Sequence, residues 1–370
     1  MEPVNISRLF EKAKDRGIPL NGTFELSPMC NMDCSMCYVR RTKDEVMEAG
    51  GLLSSDEWYE IGKEAASNGM LFLLLTGGEP LLYPDFFGLY HRLKNLGLMI
   101  ALNTNGTMLT EEMVRELSRN APYRIQLTLY GASNETYGRL CQNKKGFDQV
   151  IRALDLLKKY SLTFKLNATM TPRNIDDIEE IYRIAREYDA YVQTSTYMFP
   201  PLRKGKDEFE KEDRFSPKEA GFYLARIDRL RYDGELLDKK KQMIKNEQKE
   251  RDKIYEDCER SFKEPLGCRA GRSCFWISWQ GKMTACGMMD EPDIDVRKEG
   301  IKKAFDLIRE DTQKRFLPPK CTSCELRSAC PVCGAAVFCE MDRNFDEPPS
   351  YLCEMTKSYV KEMGIYNEKV

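Results

Sequence analysis

The sequence predicts an α/β fold: a partial (β/α)6 TIM-like barrel followed by a small Cys-rich α+β domain. Three observations carry this. The first 230 residues alternate between short β-rich runs and amphipathic helical patterns. A charge-dense stretch with both signs then breaks the alternation. From about residue 266, cysteines crowd among short strand-like runs.

The β-rich runs are "GTFELS" (22–27), "MLFLLLTG" (70–77), "LMIALNT" (98–104), "YRIQLTLYG" (123–131), "TFKLNATMT" (163–171) and "YVQTSTYMF" (191–199). Between them lie "SSDEWYEIGKEAASNG", "DFFGLYHRLKNLG", "TEEMVRELSRN", "FDQVIRALDLLKKY" and "NIDDIEEIYRIAREY", each with helical periodicity. Repeated βα units imply a parallel sheet. Six units fall short of the eight that close a barrel, and catalytic groups belong where strands end and βα loops begin. "PPLRKGKDEFEKEDRFSP" reads as a loop and "KEAGFYLARIDRLRYDG" as the sixth helix. "ELLDKKKQMIKNEQKERDKIYEDCERSFKEP" reads as a solvated helix bridging two domains, or else as a docking surface for a partner. "SCFWISWQ" and "KMTACGMM" read as strands joined by a turn at Gly281. The expected organisation is a barrel over 1–235, a charged helical bridge over 236–265 and a Cys-rich domain over 266–370.

Composition narrows the function classes. At 42% hydrophobic residues the chain can bury a sizeable core, and 57 basic against 59 acidic residues give no general pull toward nucleic acid or anionic membrane. No apolar run reaches the roughly 18–20 residues of a membrane span, and the first 20 residues lack the apolar stretch of a signal peptide. A cytoplasmic protein is expected. Fourteen cysteines in a reducing cytosol point to metal or cluster ligation rather than disulfides. The single histidine, His91, lies in a helical pattern and reads as a partly exposed helix residue. One histidine excludes two-histidine zinc sites and leaves almost no room for a His-based triad.

The chemistry-bearing motifs follow strand ends. "SPMCNMDCSMCYVRR" (27–41) places Cys30, Cys34 and Cys37 in a C-x3-C-x2-C pattern on the first βα loop. Three thiolates can hold a 4Fe–4S cluster by three irons, leaving the fourth open to a non-protein ligand. A zinc loop is the alternative. "TGGEP" (76–80) ends the second strand. Gly77 and Gly78 permit close backbone approach, Pro80 closes the turn, and Glu79 with nearby carbonyls can accept from an ammonium group. "LNTNG" (102–106) brings Asn103 and Asn105, and "LTLYG" (127–131) brings the Thr128 hydroxyl.

In these motifs, and in their order across some 110 residues, the chain resembles the radical SAM superfamily. The resemblance implies that the open iron is chelated by the amino and carboxylate groups of S-adenosylmethionine. One-electron cleavage then yields a 5′-deoxyadenosyl radical that takes a hydrogen atom from substrate. It implies that the GGEP segment meets the amino group of S-adenosylmethionine, that Asn103 and Asn105 bond its ribose or methionine moiety, and that Thr128 serves the ribose in place of a more usual serine. A reducing partner such as flavodoxin or ferredoxin is implied as well.

The tail runs Cys268-x5-Cys274-x11-Cys286, Cys321-x2-Cys324-x5-Cys330-x2-Cys333, then Cys339 and Cys353. This resembles the SPASM domain of radical SAM peptide and protein maturases, with a final x2 gap where x3 is common. The resemblance implies two auxiliary 4Fe–4S clusters, three in all. The first takes Cys268, Cys274, Cys286 and Cys333; the second takes Cys321, Cys324, Cys330 and Cys353. Cys339 competes for the last place, and spacing favours Cys353. Zinc is again the alternative for the C-x2-C pairs.

Of the remaining cysteines, Cys141 follows the fourth strand and a short helix, where a free thiol could return a hydrogen atom to a substrate radical; a buried structural cysteine is the plainer reading. Cys258 lies in the charged bridge and is expected to have no role. The family implies a peptide or protein substrate, most readily for thioether or carbon–carbon crosslinking. Epimerisation, formylglycine formation and small-molecule oxidation are alternatives, and a non-catalytic zinc- or iron–sulfur-binding interaction protein is the reading from another class. Sulfatase-maturing members carry a catalytic Asp directly after the third cysteine of the first auxiliary site. Here that position is Gly287, with Asp290 three residues on. About 20 residues precede the first strand, so a leader peptide is expected to bind the barrel, the bridge or another chain.

Overall fold

The computed structural model describes residues 6–201, 213–257 and 263–366. Cys258 and most of the polar loop, 202–212, lie outside them. The six βα strands fall on the six β-rich runs: β1 (Asn21–Glu25), β2 (Phe72–Thr76), β3 (Met99–Thr104), β4 (Arg124–Thr128), β5 (Phe164–Thr169) and β6 (Val192–Ser195). The helices among them are α1 (Ile6–Arg16), α2 (Lys43–Glu48), α3 (Ser55–Ser67), α4 (Phe86–Asn95), α5 (Glu111–Arg119), α6 (Asn134–Cys141), α7 (Gly146–Lys159) and α8 (Ile178–Glu187). Of these, α1 and α2 are absent from the sequence expectation. Helix starts are set by side-chain caps: Ser54 and Glu57 form a reciprocal capping box at α3, and Thr110 and Ser133 cap α5 and α6.

Strands β1 to β5 are mutually parallel, and the six βα strands lie in the order β6-β5-β4-β3-β2-β1. The chain order runs outward from β1 and never closes, so this is a partial barrel. The C-terminal strands β7 (Cys274–Ile277), β8 (Lys282–Thr284) and β9 (Ile294–Asp295) extend the same sheet. β7 pairs with β1 in parallel, then β8 and β9 follow antiparallel. The remaining helices are α9 (Pro217–Arg231), α10 (Gly234–Asp257), α11 (Val296–Glu299), α12 (Ile301–Gln313), α13 (Pro319–Thr322), α14 (Gly334–Glu340) and α15 (Ser350–Met363).

The chain divides into two interleaved compact units. The first holds residues 1–167, 185–193 and 269–313. Pairing of β7 with β1 carries the start of the Cys-rich region into the barrel's sheet. In this unit one face of the strands is apolar and meets the helices. Leu73, Leu75, Ile100, Leu102, Ile125 and Leu127 are fully buried there with Leu89, Leu93, Val114, Leu117, Leu154 and Leu157. Phe24 stacks on Trp58 of α3 at 4.9 Å. Each such side chain contributes about 1.5–3 kcal/mol. The second unit holds 168–184, 194–268 and 314–370. There α9 packs along α15 around Ala225, Tyr359, Val360 and Met363. The buried Asp228 in this core is satisfied by Lys240 at 2.6 Å and the Tyr359 hydroxyl at 2.8 Å. Among the described residues no helix is long and apolar enough to cross a membrane.

Candidate active site

The Cys30, Cys34 and Cys37 loop leaves the C-terminal end of β1, where a barrel's chemistry belongs. All three thiols are half-buried. The loop is pinned from below by α6: the Asp33 and Ser35 N–H groups donate to the Cys141 and Leu140 carbonyls, each at 3.0 Å. Its sulfurs receive donors. The Met32 N–H reaches Cys30 Sγ at 3.4 Å, the Arg40 N–H reaches Cys37 Sγ at 3.4 Å, and Asn105 Nδ2 reaches Cys30 Sγ at 3.6 Å. Burial pushes the Cys30 thiol up to about 12, and Glu79, Cys34 and Cys37 add to the rise. The Cys34 thiol is raised by its hydrogen bond to the Cys141 thiol and by burial.

The three crowded thiols receive sulfur-directed N–H groups at Cys30 and Cys37, and the Arg40 charge favours the thiolate at Cys34. Cys30, Cys34 and Cys37 would hold an iron–sulfur cluster as thiolates, whose charge those N–H groups would stabilise. The residues fit the group. Among the described residues no three His, Cys, Asp or Glu side chains converge as ligands of a single metal ion.

The TGGEP segment does its work against this loop. Gly78 N–H donates to the Ser27 carbonyl at 2.7 Å and Glu79 N–H to the Met29 carbonyl at 2.9 Å. A Cβ on Gly77 would lie 2.2 Å from the Ser27 carbonyl oxygen, and one on Gly78 2.4 Å from that of Met29. The close backbone approach expected of these glycines is thus an approach to the cluster loop. Glu79 is fully buried. Its carboxylate accepts from Thr104 Oγ1 at 2.8 Å, Asn105 N–H at 2.8 Å and Leu81 N–H at 3.1 Å. Burial raises it to about 7 against those donors. It ties the end of β2 to the end of β3. Pro80 follows and opens a buried single turn.

Asn105 is likewise committed to the loop. Its Nδ2 donates to Asn31 Oδ1 at 2.9 Å, and its Oδ1 accepts from the Thr107 N–H at 2.9 Å and hydroxyl at 2.7 Å. Asn31, Thr104 and Thr107 were not singled out from the sequence; no spacing signal marks them. Cys141, considered above as a hydrogen-atom donor, is fully buried beneath the loop with its thiol on Cys34.

The other sheet face is concave and polar. Leu127 faces α7: a Cβ at Gly106 would touch both Leu127 and Ala153. Alternation then turns Arg124, Gln126 and Thr128 the other way. Register aligns Asn103 with Gln126, Gln126 with Lys165, and Thr128 with Asn167 on that face. Asn103 Oδ1 is buried there without a hydrogen-bond partner, as a ligand-facing group would be. Glu25 shares the face, fully buried, and accepts from Trp276 Nε1 at 3.1 Å. That indole lies over Gly287, where a Cβ would sit 2.9 Å from the ring. Position 287 therefore has no room for an aspartate as packed, and Asp290 is half-buried in the loop after β8.

Of the C-terminal cysteines, Cys274 and Cys286 belong to the first unit. Pairing of Trp276 with Thr284 in the β7–β8 hairpin, carried two residues further, sets Cys274 opposite Cys286. In the second unit Cys333 stands at the N-terminus of α14, its thiol raised by burial, with the Ala336 and Ala335 N–H groups acting against that rise and Cys268 beside it. There too Cys321 is pushed up to about 12 by burial and by the neighbouring Cys330, Cys353 and Cys324. These four thiols form one group. Cys339 is buried in α14 near Tyr197.

A three-cysteine loop on a partial parallel barrel, tied to a GGEP turn, defines a radical SAM enzyme, and residues 24–185 match the family model described as the Radical SAM superfamily. The chain carries that domain and uses S-adenosylmethionine with the family's 4Fe–4S cluster. It is 26% identical over 336 residues to a protein named AdoMet-dependent heme synthase from Methanosarcina barkeri (strain Fusaro / DSM 804), covering 88% of this chain and 94% of the relative. Two solved structures share the fold. One is Streptococcus suis SuiB bound to the precursor peptide SuiA, at TM-score 0.63 and 16% identity over 90% of this chain and 76% of that one. The other is native anSMEcpe with bound AdoMet and Kp18Cys peptide, at TM-score 0.68 and 18% identity over 93% and 96%.

Proposed function

We propose that the protein takes a hydrogen atom from a peptide or protein substrate at an unactivated C–H, for crosslink formation within that peptide. The observation that carries the chemistry is the Cys30, Cys34, Cys37 loop clamped by Glu79 and Asn105 at the mouth of the barrel. When bound, the cluster and S-adenosylmethionine supply the 5′-deoxyadenosyl radical; the chain supplies placement and exclusion of water. Gly77 and Gly78 let the turn seat against the cluster loop. Asn103 and Thr128 face the cofactor from the concave side, and Asn105 holds Cys30 in place. The two peptide-bound fold neighbours support a peptide substrate.

Three clusters are part of this reading. The second auxiliary cluster uses Cys321, Cys324, Cys330 and Cys353. The first uses Cys268, Cys274, Cys286 and Cys333, and rests on sequence spacing. Four-cysteine ligation suits electron transfer or structure, fed by a flavodoxin or ferredoxin. A second reading, oxidation of a small molecule, is favoured by the relative named AdoMet-dependent heme synthase, which this chain matches nearly end to end.

The test is anaerobic reconstitution with iron and sulfide, followed by dithionite and S-adenosylmethionine. About twelve irons per chain and formation of 5′-deoxyadenosine are expected, and both the first cluster and the cleavage are lost in the C30A/C34A/C37A variant. Zinc in place of iron, with S-adenosylmethionine intact under reduction, overturns the reading.

A further inference from the structure

The concave face carries two cations that the fold leaves without an acid. Arg124 opens β4 and Lys165 lies near the start of β5, on the same face by register. Among the described residues neither forms an ion pair. Arg124 has only the Tyr123 ring, at 5.6 Å, and its Nε is buried without a partner. Lys165 donates to the neutral Gln193 Oε1. Burial and the adjacent guanidinium both push the Lys165 ammonium down. The single acid among the concave positions of β1 to β5 is Glu25, three strands from Arg124 and bonded to Trp276. Two half-buried cations side by side are unfavourable unless an anion joins them. Asn167, on the same face, adds a second buried amide oxygen without a partner.

We infer that Arg124 and Lys165 anchor a carboxylate of the substrate on the concave face of the parallel sheet. A guanidinium takes a carboxylate by two parallel N–H bonds and the ammonium adds a third. Arg124 lies four residues before Thr128 and Lys165, level with Gln126, two residues before that level, so the anchor sits roughly 7–13 Å below the strand end at about 3.3 Å per residue. The reactive C–H is therefore about two to four extended residues from the carboxylate, or its equivalent across a planar macrocycle. By register the unpartnered Asn103 oxygen lies level with Lys165 and the Asn167 oxygen level with Thr128, and both accept from the substrate. This rests on the reading above in taking the concave face as the substrate side, and it names what that side recognises.

The test is lysine acetylation of the reconstituted protein read by mass spectrometry, in glutarate or in sodium chloride of equal ionic strength. Glutarate is expected to slow acetylation of Lys165 at least about threefold through the charge-assisted bonds, and to leave exposed Lys63 unchanged. R124Q is expected to abolish the protection and R124K to keep part of it, which separates lost recognition from a lost fold. Equal rates in the two salts, or protection that survives R124Q, overturn the inference. Coproporphyrin III and the peptide Gly-Glu-Gly-Glu-Gly then distinguish the sources: whichever protects at a tenfold lower concentration than glutarate identifies a macrocycle or a peptide. If neither improves on glutarate, the carboxylate site stands and both carriers are rejected. No turnover is needed, so a protein that cleaves S-adenosylmethionine without protection of Lys165 fails this inference alone.

Discussion

Replacing Gly78 by alanine is the sharpest perturbation of the site, because its cost can be worked from the backbone alone. The new Cβ would lie 2.4 Å from the Met29 carbonyl oxygen and 2.6 Å from that of Pro28, whereas real Cβ contacts essentially never fall below 3.0 Å. Both obstacles are main chain, so no side chain can swing away. The turn and the cluster loop must separate by about 0.6 Å, which weakens the Gly78 and Glu79 N–H bonds to Ser27 and Met29. Overpacking of this kind costs about 1–3 kcal/mol, and each weakened hydrogen bond adds up to about 1 kcal/mol. The expected loss is about 2–4 kcal/mol in the first unit. All three tryptophans, Trp58, Trp276 and Trp279, lie in that unit, so indole fluorescence during urea unfolding of the cluster-free protein reports on it. A midpoint lower by about 1 M is expected at a slope of about 3 kcal/mol/M. Iron bound after reconstitution should fall by about a third if the loop is the part displaced. Gly234→Ala is the control, since a Cβ there meets nothing within 4 Å. A Gly78→Ala midpoint matching that control, with full iron, refutes the packing argument.

Three further outcomes follow from the same geometry. Cys141→Ala keeps the loop cysteines but removes the thiol on Cys34. With Cys34 deprotonated as a cluster ligand the Cys141 S–H becomes the donor, and losing a donor worth about 1 kcal/mol to a one-electron centre lowers its midpoint potential by about 40 mV, read by redox titration with electron paramagnetic resonance. An unchanged potential, with loss of hydrogen return to a deuterium-labelled substrate, would instead mark Cys141 as a hydrogen-atom donor. Cys353→Ala is expected to lose about four irons per chain and Cys339→Ala none, because Cys353 is the thiol grouped with Cys321, Cys324 and Cys330. The reverse result would reassign the last ligand. Glu79 is raised from 4.5 to about 7 by burial, so its contribution to stability is fully present below pH 4.5 and is lost as pH rises through 7. Glu79→Gln, which cannot ionise, should flatten the pH dependence of cluster-free stability across that window; an unaltered slope would show that Glu79 is not its source.

How much of this was legible depended on which constraint a residue answers. The six strands were legible because their helix-facing residues are apolar and their period switches sharply at each βα boundary. The cysteine loop was legible because thiol ligation tolerates few spacings. The parallel pairing of β7 with β1 was not, since strand partnership across some 250 residues leaves no local pattern. The work of Gly77, Gly78 and Asn105 was half legible: the motif marked the positions, but only the backbone distances show that they serve the Ser27–Met29 main chain and Cys30.

Arg124, Lys165 and Asn167 went unremarked although their signal was present. Strands of an all-parallel sheet, buried on both faces, normally read as continuous apolar runs. "RIQLT" and "FKLNAT" instead alternate polar and apolar, as a half-solvated antiparallel strand would. In a parallel barrel no solvent-facing layer accounts for that alternation. Its polar phase must face the lumen, and the charges carried on it are the charges a substrate meets. The same reasoning separates β4 and β5 from β2, where "FLLLT" has no charge to offer. Recognition of an anion is thus expected from one side of the barrel, and cofactor placement from the strand ends above it.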